Sequence, residues 1–296
     1  MPCFRPRRAW SLLSGGITFR EPFPLTPATP QVQVPCGGCV GCRSRRALSW
    51  TIRCRLELTR HSAATFVTLT YETAPPQLVK DHLTAFIKRL RSKVRKADSR
   101  SRRKARKAHR AIPDWRRIKF FGCGEYGDKN GRPHYHLLVF GLPPGAPEIT
   151  RSWSQGFITS TEVTPARVAY CAGYVTKKLE HASLYPDLID LDTGELLAEG
   201  QKPFLLMSRR PAIASDFKQY WSDYSESAVI DGKALPVPRY LHNAFLNNAS
   251  TLQLLKHDLA LHDRIKSLPL DHHQRLNSGE TIAKRKLSLA HSKRTL

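Results

Sequence analysis

The sequence predicts an α+β protein, with a central antiparallel sheet and helices on one face, behind an irregular cysteine-rich N-terminal segment. Three observations carry that expectation. Short β-rich runs alternate with helical stretches in the order strand, helix, hairpin, strand, helix, strand, which suits helices laid on an antiparallel sheet. Turn residues separate the two middle strands: Gly127-Asp128-Lys129-Asn130-Gly131-Arg132. A doubly wound dinucleotide fold is excluded, because Gly122 and Gly124 open no helix and begin no full glycine fingerprint.

The elements follow in order. Residues 1–47 are rich in Pro, Gly, Cys and Arg and read as irregular. Arg45 to Arg60 reads as a helix. Phe66-Val67-Thr68-Leu69-Thr70-Tyr71 is a strand. Leu83, Phe86, Ile87, Leu90 and Val94 fall at i, i+3, i+4, i+7 and i+11, one apolar stripe, so the spacing predicts an amphipathic helix over 81–96 with Asp81 as its cap. From Ala97 to Arg110 the stripe dissolves into Ser, Arg and Lys, which reads as a mobile basic loop. Ile118 to Tyr126 and Pro133 to Phe140 make the hairpin, and Gly156 to Val163 makes a further strand. Thr164 as N-cap and Pro165 at the first position open a helix to about Leu179. Ser183 to Pro203 reads as an acidic loop, Phe204 to Ser208 as a strand, and Val229 to Arg239 as a hairpin around Asp231-Gly232. The tail beyond about Lys266 is basic and weakly helical. The chain is thereby divided into a cysteine-rich segment (1–47), a sheet domain (48–245) and a basic tail (246–296).

Composition bounds the function. With glycine added, the 41% hydrophobic share of the 296 residues rises to about 47%, enough for a globular core. No run of eighteen apolar residues exists, so no membrane span is expected. Met1 to Phe19 lacks a continuous apolar stretch, so no secretory signal is expected either. The net charge is +24, and Lys88 to Lys119 alone holds 16 Lys and Arg against Asp98 and Asp114. Charge that dense repels itself unless a polyanion neutralises it, and nucleic acid is the first candidate; a solvated surface with small counterions is the plainer alternative.

Three groups of residues could carry chemistry. His134 and His136 flank Tyr135 on one strand, so both imidazoles point to one face and can share a divalent ion. Glu125, nine residues earlier on the partner strand, is the natural third ligand. The alternative is an ordinary half-buried histidine pair. Tyr170 and Tyr174 lie one turn apart on one helix face, with Lys177 continuing it and Lys178 beside it. A tyrosine hydroxyl is a poor nucleophile at a free pKa of ~10 and becomes competent beside a metal-bound phosphate. The alternative is two core aromatics. Cys36, Cys39 and Cys42 have the spacing of metal ligands and need a fourth, for which Cys3 is the candidate. Structural zinc, an unmetallated or redox-active cluster and an iron–sulfur cluster all stay open. Cys54, Cys123 and Cys171 lie inside expected elements and read as small buried hydrophobes.

Taken together, these residues resemble the HUH endonucleases of rolling-circle replication, and within them the replication initiators of microviruses of the gokushovirus-like branch. The resemblance rests on Phe66-Val67-Thr68-Leu69-Thr70, on Gly124-Glu125-Tyr126-Gly127 with Gly131-Arg132-Pro133-His134-Tyr135-His136, and on Tyr170 to Lys178. Val34 to Cys42 and Leu206 to Pro211 also match that branch. Ala212-Ile213-Ala214 departs from it, standing where glycines are expected beside the isoleucine.

The resemblance implies an HUH-type sheet with the histidines on a middle strand and the tyrosine helix beneath. It implies a metal-dependent single-stranded DNA endonuclease and ligase. Mg²⁺ or Mn²⁺ would be held by His134, His136 and Glu125, with Tyr170 and Tyr174 alternating as nucleophiles and Lys177 assisting. The product would be a 5′-phosphotyrosyl link and a free 3′-OH primer at the origin, in the cytoplasm of a bacterial host. No Gly-x-x-x-x-Gly-Lys-Ser/Thr motif occurs, so helicase and polymerase are expected from the host. Two other readings compete: a non-catalytic single-stranded nucleic-acid-binding protein, and a plasmid mobilisation relaxase.

Overall fold

The computed structural model describes residues 3–12, 16–21, 23, 31–127, 130–177, 188–189, 196–198, 200–218, 227–230, 232–248, 250 and 272–292. The chain forms two compact units, residues 1–47 together with 250–296, and residues 48–249.

The larger unit is built on a five-stranded antiparallel sheet. Its strands are β4 (Ala64–Tyr71), β5 (Lys119–Tyr126), β6 (Pro133–Phe140), β7 (Gly156–Glu162) and β10 (Phe204–Met207), in the order β10-β5-β6-β4-β7. The α+β class and the antiparallel sheet agree with the expectation. The helices, however, cover both faces rather than one. Helix α2 (Lys80–Lys107) lays Leu83, Phe86, Ile87, Leu90 and Val94 against Val67, Leu69, Tyr71, Tyr135, Leu137 and Val139, and the single-turn α3 (Pro147–Thr150) adds Ile149 to the same cluster. On the opposite face Cys54 of α1 (Val40–Leu58) and Val168 and Cys171 of α4 (Pro165–Lys177) meet Phe66, Phe121, Leu138 and Phe140. The order of elements along a chain does not say which face a helix takes, and here alternate residues of the same strands are apolar on both sides. β5 is consequently buried along almost its whole length, as a strand covered on both faces must be.

Close packing explains the two sheet glycines. A Cβ at Gly124 would stand 2.9 Å from the Phe204 ring of edge strand β10. At Gly122 it would meet the Leu137 side chain at 2.8 Å.

Several local expectations are corrected. α2 does not end near residue 96 but runs as one helix to Lys107. Arg, Lys and Ala are strong helix formers, so loss of the apolar stripe marks loss of packing, not loss of helix. Asp98 pins the extension, accepting from Arg116 N (3.0 Å) and Nε (2.6 Å). Asp81 is not the cap. Val79 occupies that position in extended geometry with no side-chain bond, while Asp81 sits in the first turn, where a carboxylate favours the helix dipole. The stretch read as an acidic loop contains a short antiparallel pair, β8 (Leu188–Ile189) and β9 (Leu196–Ala198), and its other residues up to 195, and 199, lie outside the described residues. A hairpin of β11 (Ser227–Ile230) and β12 (Lys233–Pro236) turns at Gly232 as expected, and α5 (Arg239–Asn248) follows.

In the smaller unit the N-terminal segment is not wholly irregular. β1 (Arg7–Ser11) pairs with β2 (Ile17–Thr18) and β3 (Gln31–Val34). The tail is not a separate piece either. Its helix α6 (His272–Ser292) buries Leu276 and Ala283 with Phe4, Cys39 and Val40, and Arg5 Nε binds Glu280 Oε2 at 2.8 Å. Among the described residues no helix is long and apolar enough to cross a membrane.

Candidate active site

The centre of the sheet delivers three candidate ligand side chains to one point. Alternation on β6 turns Tyr135 and Leu137 toward α2 and turns His134 and His136 the other way. Glu125 lies directly opposite His134 in the β5–β6 register. Its Oε1 stands 3.0 Å from His134 Nε2 and 2.9 Å from His136 Nε2. The second nitrogen of each ring is held as well. His134 Nδ1 lies 3.0 Å from the Arg132 carbonyl, which can only accept, so Nδ1 carries the proton and Nε2 faces Glu125. His136 Nδ1 lies 3.0 Å from Thr68 Oγ1 on β4. Such outer contacts fix ring orientation in metal sites.

The strand behind these groups is anchored. Tyr135 OH donates to Val79 O at 2.8 Å, accepts from Val79 N at 3.2 Å, and meets Tyr71 OH at 2.5 Å.

Helix α4 brings the tyrosines. Thr164 Oγ1 caps it, accepting from Arg167 N at 3.3 Å. Val168, Cys171 and Ala172 are fully buried, which seats the helix so that Tyr170 and Tyr174 face His136. The Tyr170 ring meets the His136 ring edge-on at 5.3 Å, and the Tyr174 ring stacks on it at 6.5 Å. Tyr170 OH donates to Glu125 Oε1 at 3.2 Å, and Tyr174 OH donates to Tyr170 OH. Five of the six candidate residues therefore meet in one cluster. Lys177 ends the described part of α4, and its side chain, like Lys178, lies outside the described residues.

The electrostatics suit a cation. Burial works against ionisation of Glu125, but the His134 and His136 imidazoles and the nearby Tyr174 hydroxyl outweigh it and hold its carboxyl down at about 2. Burial and the same carboxylate keep both tyrosine hydroxyls above their ordinary value. Glu125, His134 and His136 offer donor atoms all within 4.8 Å of one another. One carboxylate with two imidazoles fits a divalent ion, whose charge would reverse the penalty on a nearby phenolate.

The smaller unit holds a second group. The sulfurs of Cys3, Cys36, Cys39 and Cys42 also lie within 4.8 Å of one another. Cys3 is 3.7 Å from Cys36 and 3.8 Å from Cys39. Thiolates at ~2.3 Å from a tetrahedral ion stand about 3.8 Å apart, so the spacing fits. Backbone N–H groups of Phe4, Cys36 and Cys39 point at three of these sulfurs. Burial opposes ionisation of Cys39, yet the Cys42 and Phe4 backbone and the neighbouring thiols bring it down to about 6, while burial lifts Cys42 to about 12. Cys54, Cys123 and Cys171 are buried, as expected.

Two supporting groups, Thr68 and Arg132, stand within the quoted motifs, but their roles emerge only in the fold. For Thr68 the signal was present, since it lies on the same face of β4 as Thr70.

Parts of the chain are similar to known proteins. Residues 64–179 match the family described as replication-associated protein ORF2/G2P. Replication-associated protein ORF2 of Spiroplasma virus 4 is 34% identical over 171 residues, 49% of this chain and 48% of that protein. Replication-associated protein VP4 of Bdellovibrio phage phiMH2K is 28% identical over 273 residues, 84% of this chain and 78% of that protein. Replication-associated protein ORF4 of Chlamydia phage 1 is 29% identical over 171 residues, 49% of this chain and 38% of that protein. The chain thus spans about half or less of the length of two of these relatives. No solved structure gives a significant match. The matched stretch, residues 64–179, contains Glu125, both histidines and both tyrosines, and the chain is similar to replication-associated proteins of Spiroplasma, Bdellovibrio and Chlamydia phages.

Proposed function

We propose that the chain initiates rolling-circle replication by nicking the origin strand of DNA and later religating it. One observation carries the reading: Tyr170 OH shares the Glu125 oxygen that both histidines face. Glu125, His134 and His136 would hold a divalent ion, Mg²⁺ or Mn²⁺, which would supply positive charge beside the scissile phosphate oxygens. A tyrosine oxygen bonds to phosphorus, its proton is lost, and the bond to the 3′-oxygen breaks; that oxygen takes up a proton and becomes the 3′-OH primer. In this reading Tyr170 acts first; the support is that its hydroxyl accepts from Tyr174 while donating to Glu125, so a Tyr170 oxyanion would keep a hydrogen-bond donor. Tyr174 serves the second transfer, which releases the circle. Lys177 steadies the phosphate or the phenolate. Host helicase and polymerase act in the bacterial cytoplasm on the strand so primed.

The test is a denaturing gel of the protein incubated with labelled single-stranded origin DNA and Mn²⁺ or EDTA. A metal-dependent adduct is expected with wild type and with Tyr174→Phe, and none with Tyr170→Phe. Salt-sensitive binding without any adduct would instead leave a non-catalytic DNA-binding protein.

The four cysteines are proposed to hold a structural Zn²⁺, supported by the sulfur spacing. Elemental analysis should find about one zinc per chain, lost in Cys39→Ser. Iron with a visible charge-transfer band would overturn this in favour of an iron–sulfur cluster.

A further inference from the structure

The floor of the candidate site continues past the ligands. Glu125 lies opposite His134, His134 opposite Thr70, and Thr70 opposite Phe157. Directly paired residues of antiparallel strands project to the same face. The four therefore form one row across β5, β6, β4 and β7, beginning at a buried carboxylate and ending at a phenyl ring. That ring is 64% exposed. Thr159, two residues on along β7 and on the same face, is exposed as well. A groove of about 510 Å³ runs along the outer row, lined by Thr70, Asn130, Arg132, Pro133, His134 and Phe157. Two strand spacings put Phe157 about 10 Å from His134 along the row. Arg132 fixes a positive charge at the rim, its guanidinium donating to the Glu72 carbonyl at 2.7 Å and to that of Tyr71.

We propose that this groove seats an unpaired nucleotide of single-stranded DNA next to the reacting phosphate, with its base stacked on Phe157; the proposal rests on the nicking function above. A single flat ring among hydroxyls and a cation suits a ligand that is flat and apolar on its faces, polar at its edges and anionic along its backbone. It does not suit an apolar protein surface, which would ask for a wider patch. Stacking needs a base whose face is free, so the groove selects an unpaired strand over a duplex. The paired row ties that base to the ligand cluster with no intervening loop.

The test is fluorescence anisotropy with a labelled, mixed-sequence single-stranded oligodeoxynucleotide and with its duplex. Phe157→Ala should weaken single-strand binding about 10-fold, the order of one base–aromatic stack, and leave duplex binding unchanged. Phe157→Trp should bind at least as tightly as wild type, which separates stacking from folding. An abasic site stepped along the oligonucleotide should, at one position, weaken wild type and leave Phe157→Ala unaffected. Equal single-strand affinity of wild type and Phe157→Ala would overturn the proposal, as would an equal loss on duplex. The adduct gel run in parallel separates the two readings. Weaker single-strand binding by Phe157→Ala with no wild-type adduct sinks the nicking function and keeps the groove. A wild-type adduct with unchanged binding does the reverse.

Discussion

Ala214 takes a left-handed backbone conformation, φ 59°, and is fully buried. It lies in the Ala212-Ile213-Ala214 stretch where the family pattern called for glycine, so the departure noticed in the sequence falls on a position where glycine has a physical reason. A non-glycine residue in this region costs ~1–2 kcal/mol. Ala214→Gly removes that strain, loses a buried methyl worth ~0.8 kcal/mol, and adds freedom to the unfolded chain worth ~0.5–1 kcal/mol. The terms nearly cancel, so Ala214→Gly should stay within about 1 kcal/mol of wild type in urea denaturation. Ala172→Gly is the contrast: equally buried, but inside right-handed α4, it should cost about 2 kcal/mol. Similar losses at both sites would show that Ala214 carries no strain.

The loop that holds Ala214 is fastened to two elements by one carboxylate. Glu57 of α1 sits 2.9 Å from Lys119 Nζ at the start of β5 and 2.7 Å from His61 Nε2, and it accepts from Ala214 N at 2.6 Å. Glu57 and Lys119 are both buried. Removing one partner of a buried ion pair leaves the other charge uncompensated, so Glu57→Gln should lower stability by about 3–5 kcal/mol. Glu57→Gln with Lys119→Met should recover part of that loss. Burial opposes ionisation of Glu57, but His61, Lys119 and the Ala214 N–H overcome it and depress its pKa. The folded state therefore holds fewer protons than the unfolded state between the two pKa values. This stability is complete above the ordinary carboxylate range and is lost as pH falls through the lowered folded value. The gap in urea midpoint between wild type and Glu57→Gln should narrow on acidification below about 4.5; a constant gap would contradict the assignment. None of this was legible in the sequence, where Glu57, Lys119 and Ala214 are far apart. Elements with strong periodicity were legible. Pro133 to Phe140 was read with the bounds observed, and the Glu125–His134 pairing followed from the turn between them. The second half of α2 was not, because an exposed helix carries no apolar stripe. Nor were the strands of the N-terminal segment, which are short and set among Pro and Gly. Cys3 joins Cys36 only because the fold closes a gap of 33 residues.

Across the whole chain the dominant quantity is charge, +24 in all, and the structure shows where much of it is displayed. Arg100, Arg103, Lys104 and Lys107 fall at i, i+3, i+4 and i+7 on α2, and all four are exposed. Like charges at that spacing destabilise an isolated helix, and beyond Asp98 no residue of α2 is buried to offset them. A phosphate backbone laid along the stripe would remove the repulsion and release counterions. Binding should then weaken linearly in log–log form as salt rises, with a slope of about 0.7 per phosphate contact for a single strand. Changing all four residues to Gln should not lower stability, and should raise it slightly, since they lie outside the core and their mutual repulsion is removed. It should reduce the magnitude of the slope by about 3 if each contacts a phosphate. The measurement is single-strand affinity over a salt series for wild type and the fourfold variant. Parallel lines would place the strand elsewhere on the molecule. A shallower line would make α2 a second point of attachment, one that holds DNA by charge on the face of the sheet opposite the tyrosine cluster, where the proposed function would have one phosphate react.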